Sequence, residues 1–222
     1  MSKCVNEPAW AARLLRVGKR VPFTLAMVVA MLAVAIFQGT LAENTAPAVI
    51  LYWGFGLHNL WDGRLYTLVV STFLVHEPWE LLGGILLLIG TLGVYEWIVG
   101  TRRSFVLYWS ANLVAPVLSA LLFLWPHYLA GTSFGLQLAA LSDVGPSAGA
   151  LGCLGAWVAR LPGRYRTGAL ILILAALIGK MALFLDLDSD ATHLVGFAVG
   201  LGLDRLLRAR ATRRAASQHT GG

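Results

Sequence analysis

The chain contains one serine and one histidine that stand in glycine-rich, apolar segments. Ser147 lies in the segment DVGPSAGALG, and His193 begins the segment HLVGFAVGLG. A neutral imidazole can remove the proton of a serine hydroxyl while that hydroxyl attacks a carbonyl carbon. These two residue types therefore suggest a nucleophile and its general base.

The residues next to Ser147 suit an anion-binding helix start. Pro146 fits the first turn of a helix, where a missing N–H group costs little. Gly145 and the other nearby glycines allow close backbone approach, and free N–H groups at a helix start can stabilise a developing oxyanion. The sequence thus predicts that backbone groups near Ser147, including that of Ala148, form an oxyanion site.

A purely structural interpretation of these segments is also open. A serine in a membrane helix often packs or bonds to its own backbone, and a histidine at a helix end is often interfacial. Gly196 and Gly200 form a small-xxx-small pattern that is typical of helix packing, and Gly152 would serve the same purpose. Spacing alone does not decide between catalysis and packing.

The composition places these residues in a membrane protein. Of 222 residues, 58% are hydrophobic and 13% are charged, with a mean hydropathy of +0.72. This is too apolar for a single water-exposed globule. Leu65–Val75 is too short to cross a bilayer and is predicted to be an interfacial or buried loop helix. Six apolar spans are predicted, at Val21–Leu41, Trp79–Val99, Phe105–Leu124, Ser147–Val158, Thr167–Leu185 and His193–Leu207.

The positive charges predict the orientation of these spans. All but two of the 17 Lys and Arg residues lie in the segments before span one, between spans two and three, between spans four and five, and at the end of span six. The exceptions are Arg64 and Lys180. The positive-inside rule then places both termini in the cytoplasm. The predicted domains are a basic N-terminal segment (1–20), a six-helix membrane domain (21–207) and a basic tail (208–222).

This orientation brings three polar side chains to one depth. Spans two, four and six all run from outside to inside, so Glu80, Ser147 and His193 lie near the outer ends of their spans. Ionisable residues in such positions usually face the bundle interior or a water-filled cavity. Topology alone therefore predicts that the three groups share one layer.

Together, these motifs resemble the rhomboid family of intramembrane serine proteases over about residues 60 to 205. Gly145 and Ser147 match part of the family's G-x-S-G segment, and Gly152 matches its later glycine. His193 begins a match to H-x-x-G-x-x-x-G. The remaining matches are Gly196 and Gly200 in that helix, Glu96, Gly100, Thr101 and Arg103 in the motif E-x-x-x-G-[ST]-x-R, and, loosely, Trp61 and Arg64 in the first loop.

The resemblance implies an all-α, six-helix bundle in which serine and histidine form a dyad in an outward-facing cavity. The chain departs from the family at three positions. Ala148 replaces the glycine after the nucleophile. Glu80 and Gly84 stand where the family has a histidine and an asparagine that help to bind the oxyanion. Glu80 could repel the oxyanion or instead orient His193, like the third member of a triad.

The expected function is an intramembrane serine protease that cleaves peptide bonds in or near the transmembrane segments of other membrane proteins. The alternative is an inactive rhomboid-like protein that binds membrane helices or assists membrane-protein handling. Either one is expected in a bacterial cytoplasmic membrane with its site facing outward. We expect no cofactor and no nucleic-acid partner, and we expect lipids and membrane proteins as partners.

Two other functions receive weaker support from the sequence. His76 and Glu80 are four residues apart and, together with the acidic turn at residues 186–190, could hold zinc. Lys180 and Asp186 could mark an ion path in a transporter. No inverted repeat or pair of broken helices accompanies them.

Overall fold

The computed structural model describes residues 18–184 and 187–219, and within these ranges the chain is helical with no β-strand. Lys3, Cys4, Arg13, Arg16 and Asp186 lie outside the described residues. The helices, in chain order, are α1 Pro22–Gln38, α2 Pro47–Trp53, α3 Leu57–Trp61, α4 Thr67–Val70, α5 Pro78–Val99, α6 Thr101–Leu129, α7 Ser133–Ala140, α8 Ser147–Val158, α9 Gly163–Phe184 and α10 Leu187–His219.

Three of the described helices are long and apolar enough to cross a membrane: α5, α6 and most of α9. Helices α1 and α8 are apolar but shorter, and α10 carries its apolar part before a basic end. Each predicted span therefore coincides with a helix, while only three meet the length and composition of a membrane crossing. The segment Leu65–Val75 contains α4 and a following 3₁₀ turn, Ser71–Phe73, as expected of a loop helix.

Two of the long helices each contain a π-helical turn. It covers Ile89–Gly93 in α5 and Ala120–Leu124 in α6. Each turn holds one extra residue relative to regular α-helical bonding, so the side chains beyond it shift around the helix axis. Leu92 and Leu124 within these turns are buried, so the shift occurs where the helices pack.

Helix α8 lies at the centre of the bundle because its residues are small. Nine of its residues are buried, and the helix packs between α6 and α10. A Cβ atom at Gly200 would lie 1.8 Å from the carbonyl oxygen of Gly152, and one at Gly196 would lie 2.6 Å from that of Ala148. Only glycine allows α8 and α10 to approach so closely. The small-xxx-small pattern at His193–Gly202 is thus a packing face of α10, whatever else that helix does.

A buried carboxylate near the middle of α10 binds this helix to its neighbours. Asp204 is 1% exposed and accepts a hydrogen bond from the Tyr95 hydroxyl at 2.8 Å. Its Oδ1 also accepts bonds from Arg160 at 2.5 and 3.0 Å, and Arg208 Nε lies 2.9 Å from its Oδ2. Arg208 further donates to the carbonyl of Ala159. Since α5, α10 and the residues directly after α8 all contribute, this cluster holds these three parts of the chain together.

Glu96 caps the start of α1. Its carboxylate is fully buried and accepts the backbone N–H groups of Phe23 and Thr24 at 3.0 and 2.8 Å. The hydroxyls of Thr24 and Thr101 complete its bonding. A carboxylate at a helix N-terminus satisfies donors that the helix itself leaves unpaired. Glu96 therefore joins α1, α5 and α6 at one end of the bundle.

The long connection between α1 and α5 packs on the bundle rather than extending from it. Asn59 is fully buried and donates to the carbonyls of Leu51 and Gly54, while Arg64 donates to Asn59 at 3.3 Å. Trp61 packs its ring against two aromatic residues of α6, with a centroid distance of 4.6 Å to Tyr128. Trp61 and Arg64 thus secure this connection.

Candidate functional site

A cavity of about 390 Å³ lies where the starts of α5, α8 and α10 meet. This volume is within the range of small-molecule and substrate sites. Ser147 and His193 both line it. Other lining residues that bear on chemistry are His76, Glu80, Gly84, Asp143, Gly145, Lys180 and Ser189.

The loop before α8 fixes the position of Ser147. Phe55 and Asp143 exchange two backbone hydrogen bonds of 2.9 and 2.7 Å, and the N–H of Gly145 donates to the carbonyl of Ser71 at 2.8 Å. Gly145 has a φ of +118°, which side-chain-bearing residues rarely adopt. The chain therefore turns sharply at Gly145 and enters the helix at Ser147.

The first turn of α8 offers backbone donors beside the serine hydroxyl. The helix's own bonding begins with the N–H of Ala150, which donates to the carbonyl of Pro146 at 3.0 Å. The N–H of Gly149 donates to Asn112 Oδ1 at 3.3 Å. The N–H groups of Ser147 and Ala148 are thus not used in helix bonding. They point along the positive end of the helix dipole, as an oxyanion site requires.

His193 contacts two side chains of its own helix. Its Nε2 lies 3.4 Å from the hydroxyl of Ser189, and its Nδ1 lies 3.9 Å from Oδ1 of Asp190. The His193 side chain is 13% exposed, and that of Asp190 is 2% exposed. Asp190 also forms an ion pair with Lys180 of α9. The imidazole thus has a hydroxyl near one nitrogen and a carboxylate near the other.

Glu80 and Gly84 line the cavity from α5 but offer little to an oxyanion. Oε2 of Glu80 accepts the backbone N–H of His76 at 2.8 Å, so this acid helps to start α5. Gly84 faces Pro146, where an added Cβ would stand 3.4 Å from the ring. Neither residue supplies a side-chain donor here.

The other motif residues lie away from the cavity and stabilise the fold. Glu96 and Thr101 belong to the α1 cap, and Gly100 makes the turn between α5 and α6 with a φ of +84°. Arg103 is exposed on α6. Trp61 and Arg64 stabilise the connection between α1 and α5.

Reasoning from the sequence did not place Ser189 and Asp190 beside His193. Both precede it on α10 at spacings of four and three residues, so a helix presents all three on one face. The apolar span was predicted to start at His193, which left the preceding turn of α10 in a loop. A helix start predicted one turn earlier would have revealed the cluster.

Among the residues that the structure describes, no three His, Cys, Asp or Glu side chains are grouped as metal ligands. Oε2 of Glu80 is bonded to the backbone of His76, as described above. The side chain of Asp188 lies outside the described part of the chain.

Comparison with known proteins leaves the site to be judged on its geometry. No protein-family profile matches the chain, and no curated protein sequence matches it significantly.

Proposed function

We propose that the protein is an intramembrane serine protease of the rhomboid type, in which Ser147 is the nucleophile and His193 the general base. The observation that carries this proposal is the cavity shared by Ser147 and His193, which come from the starts of α8 and α10. Their separation by 46 positions in the chain makes a shared cavity a demanding requirement.

The chemistry follows from the groups in the cavity. Oγ of Ser147 attacks the carbonyl carbon of a peptide bond while its proton passes to Nε2 of His193. The oxyanion binds to the N–H groups of Ser147 and Ala148. The C–N bond then breaks as His193 returns the proton to the leaving amine. Water next attacks the acyl-enzyme, with His193 again acting first as base and then as acid, and Ser147 is released.

The membrane arrangement belongs to the same proposal. Six crossings with both termini in the cytoplasm agree with the charge distribution and put the cavity on the extracytoplasmic side. Substrates are then membrane proteins whose helices unwind near the cut.

The topology is tested with single cysteines in a Cys4→Ser background, in which only buried Cys153 remains. Gly131→Cys, after α6, is expected to react with a membrane-impermeant maleimide in intact cells. Gly163→Cys, at the first residue of α9, is expected to react only after the cells are opened. Both glycines are exposed. Reversed accessibility would contradict the orientation.

The proteolytic activity is tested with a fluorophosphonate probe on protein purified in detergent. We expect covalent labelling at Ser147, identified by mass spectrometry of the labelled peptide. Ser147→Ala and His193→Ala should each lower labelling by at least about 10³-fold. Arg103→Ala, at an exposed site remote from the cavity, is the matched control and should label normally.

A rhomboid-like binding protein without protease activity is the second candidate. The observation in its favour is the set of contacts that Glu80 and His193 already make, with the backbone of His76 and the hydroxyl of Ser189. No side-chain donor replaces the family's asparagine at Gly84. Wild-type protein that stays folded, labels at no serine and still retains a membrane-helix peptide would favour this function over the protease.

A further inference from the structure

Asp190 lies on the Nδ1 side of His193 and is almost fully buried. It precedes the histidine by three residues on α10, with 3.9 Å between Oδ1 and Nδ1. In a Ser–His system, a carboxylate at this nitrogen fixes the imidazole tautomer and stabilises the imidazolium that forms. Asp190 is therefore in the position from which a third residue acts.

Lys180 supplies the counter-charge that a buried carboxylate requires. Its ammonium group binds Oδ1 of Asp190 across the gap between α9 and α10. The other oxygen, Oδ2, is buried and has no hydrogen-bond partner among the described residues. A buried acceptor without a donor is costly. A small side-chain rotation that brings Nδ1–H of His193 to this carboxylate would remove that cost.

The remaining charged groups of the cavity are less suited to this role. Glu80 is bonded to the backbone of His76. Asp143 belongs to the loop before α8 and lines the cavity from the side of Ser147. Asp190 lies in ion-pair range of the imidazole, with 3.9 Å between Oδ1 and Nδ1.

We propose that Asp190 is a positioning residue for His193, held in place by Lys180. This inference rests on the proposed protease function. Nδ1–H of His193 donates to Asp190, which leaves Nε2 unprotonated toward the serine hydroxyl. When Ser147 attacks, its proton moves to Nε2, and Asp190 stabilises the resulting imidazolium without accepting a proton itself.

Substitution of Asp190 tests the proposal by steady-state cleavage of a reporter membrane protein in detergent. We expect Asp190→Asn to lower kcat by about 10²-fold and to leave KM within about twofold, because the acid acts on the base rather than on substrate binding. Asp190→Glu should recover at least about a tenth of the activity. Unchanged kcat in Asp190→Asn would overturn the inference.

The matched control is Asp204→Asn, because Asp204 is also a buried, arginine- or lysine-paired aspartate of α10. It lies 14 positions further along, about 21 Å at 1.5 Å per residue, and does not line the cavity. It should lower thermal stability while kcat of the folded protein stays within about twofold. An equal loss of kcat in both variants would reduce Asp190 to a structural residue.

Nitrogen NMR of ¹⁵N-histidine-labelled protein gives a readout that does not depend on proteolysis. We expect the His193 signals, assigned with His193→Ala, to show the Nδ1–H tautomer in wild type and a mixed population in Asp190→Asn. The double variant Asp190→Asn, Lys180→Gln removes both charges and guards against misfolding caused by an unpaired lysine. If wild type neither labels nor cleaves, the protease proposal fails, while an unchanged tautomer in both variants overturns this inference.

Discussion

Helix α10 carries two buried aspartates paired with cations, Asp190 in its first turn and Asp204 near its middle, and the two differ in the number of their partners. Oδ1 of Asp204 accepts hydrogen bonds from the Tyr95 hydroxyl and from Arg160, and Oδ2 lies 2.9 Å from Nε of Arg208 in an ion pair that lacks hydrogen-bond geometry. Asp190 receives one lysine, and its second oxygen lacks a hydrogen-bond partner in the described structure. Asp204 is thus tied to several elements of the bundle, whereas Asp190 pairs with one lysine and stands beside a histidine.

The largest expected effect is a loss of stability on substitution of Asp204. Asp204→Ala leaves Arg160 and Arg208 without their buried partner, and removal of one member of such a cluster costs about 3–5 kcal/mol. Because Arg208 is 41% exposed, we expect the lower part of this range. Thermal unfolding in detergent measures the change. A loss below about 1 kcal/mol would remove the contrast between Asp204 and Asp190.

The next largest loss of stability is expected at Gly200, which lies between Asp190 and Asp204 on α10. A methyl group in Gly200→Ala would meet the Gly152 carbonyl at 1.8 Å, so α8 and α10 must separate. Overpacking of this kind costs about 1–3 kcal/mol. Gly202→Ala is the matched control, since an added Cβ there has no neighbour within 4 Å. Equal unfolding temperatures for the two variants would show that the helices tolerate the added methyl.

At the Asp190 end, loss of the cation should matter little for stability. Lys180 is 38% exposed, so solvent weakens its ion pair. We expect Lys180→Gln to cost less than about 1 kcal/mol, well below the effect of Asp204→Ala. The same unfolding measurement decides it. A cost equal to that of Asp204→Ala would mean that the ion pairs of Asp190 and Asp204 both stabilise the fold.

The smallest effect is expected at Ser189, whose hydroxyl lies 3.4 Å from Nε2 of His193, the nitrogen that the proposed mechanism directs toward Ser147. Ser189→Ala removes a long hydrogen bond worth about 0.5 kcal/mol, so fluorophosphonate labelling of Ser147 should rise by about twofold. Labelling kinetics give the result, with Ser110→Ala on α6 as a serine control outside the cavity. Slower labelling would assign Ser189 a supporting role instead.

The sequence was sufficient to predict the helices, because hydropathy marks the apolar segments. The orientation of these helices and the depth of Ser147 and His193 in a membrane stay predictions. The sequence could not predict the contacts of Glu80, since a carboxylate near a helix start can cap it or face a cavity equally well. The cluster at Ser189 and Asp190 was missed for a different reason. Polar residues ahead of an apolar run look like a loop, although α10 starts at Leu187.

The paired backbones of Phe55 and Asp143 have a consequence for biosynthesis. The connection between α1 and α5, which contains Phe55, is synthesised well before residue 143. The two hydrogen bonds between Phe55 and Asp143 cannot form until both residues are present. The turn at Gly145 depends in the same way on Ser71. A nascent chain therefore cannot form the turn that leads into Ser147 until both segments have been synthesised.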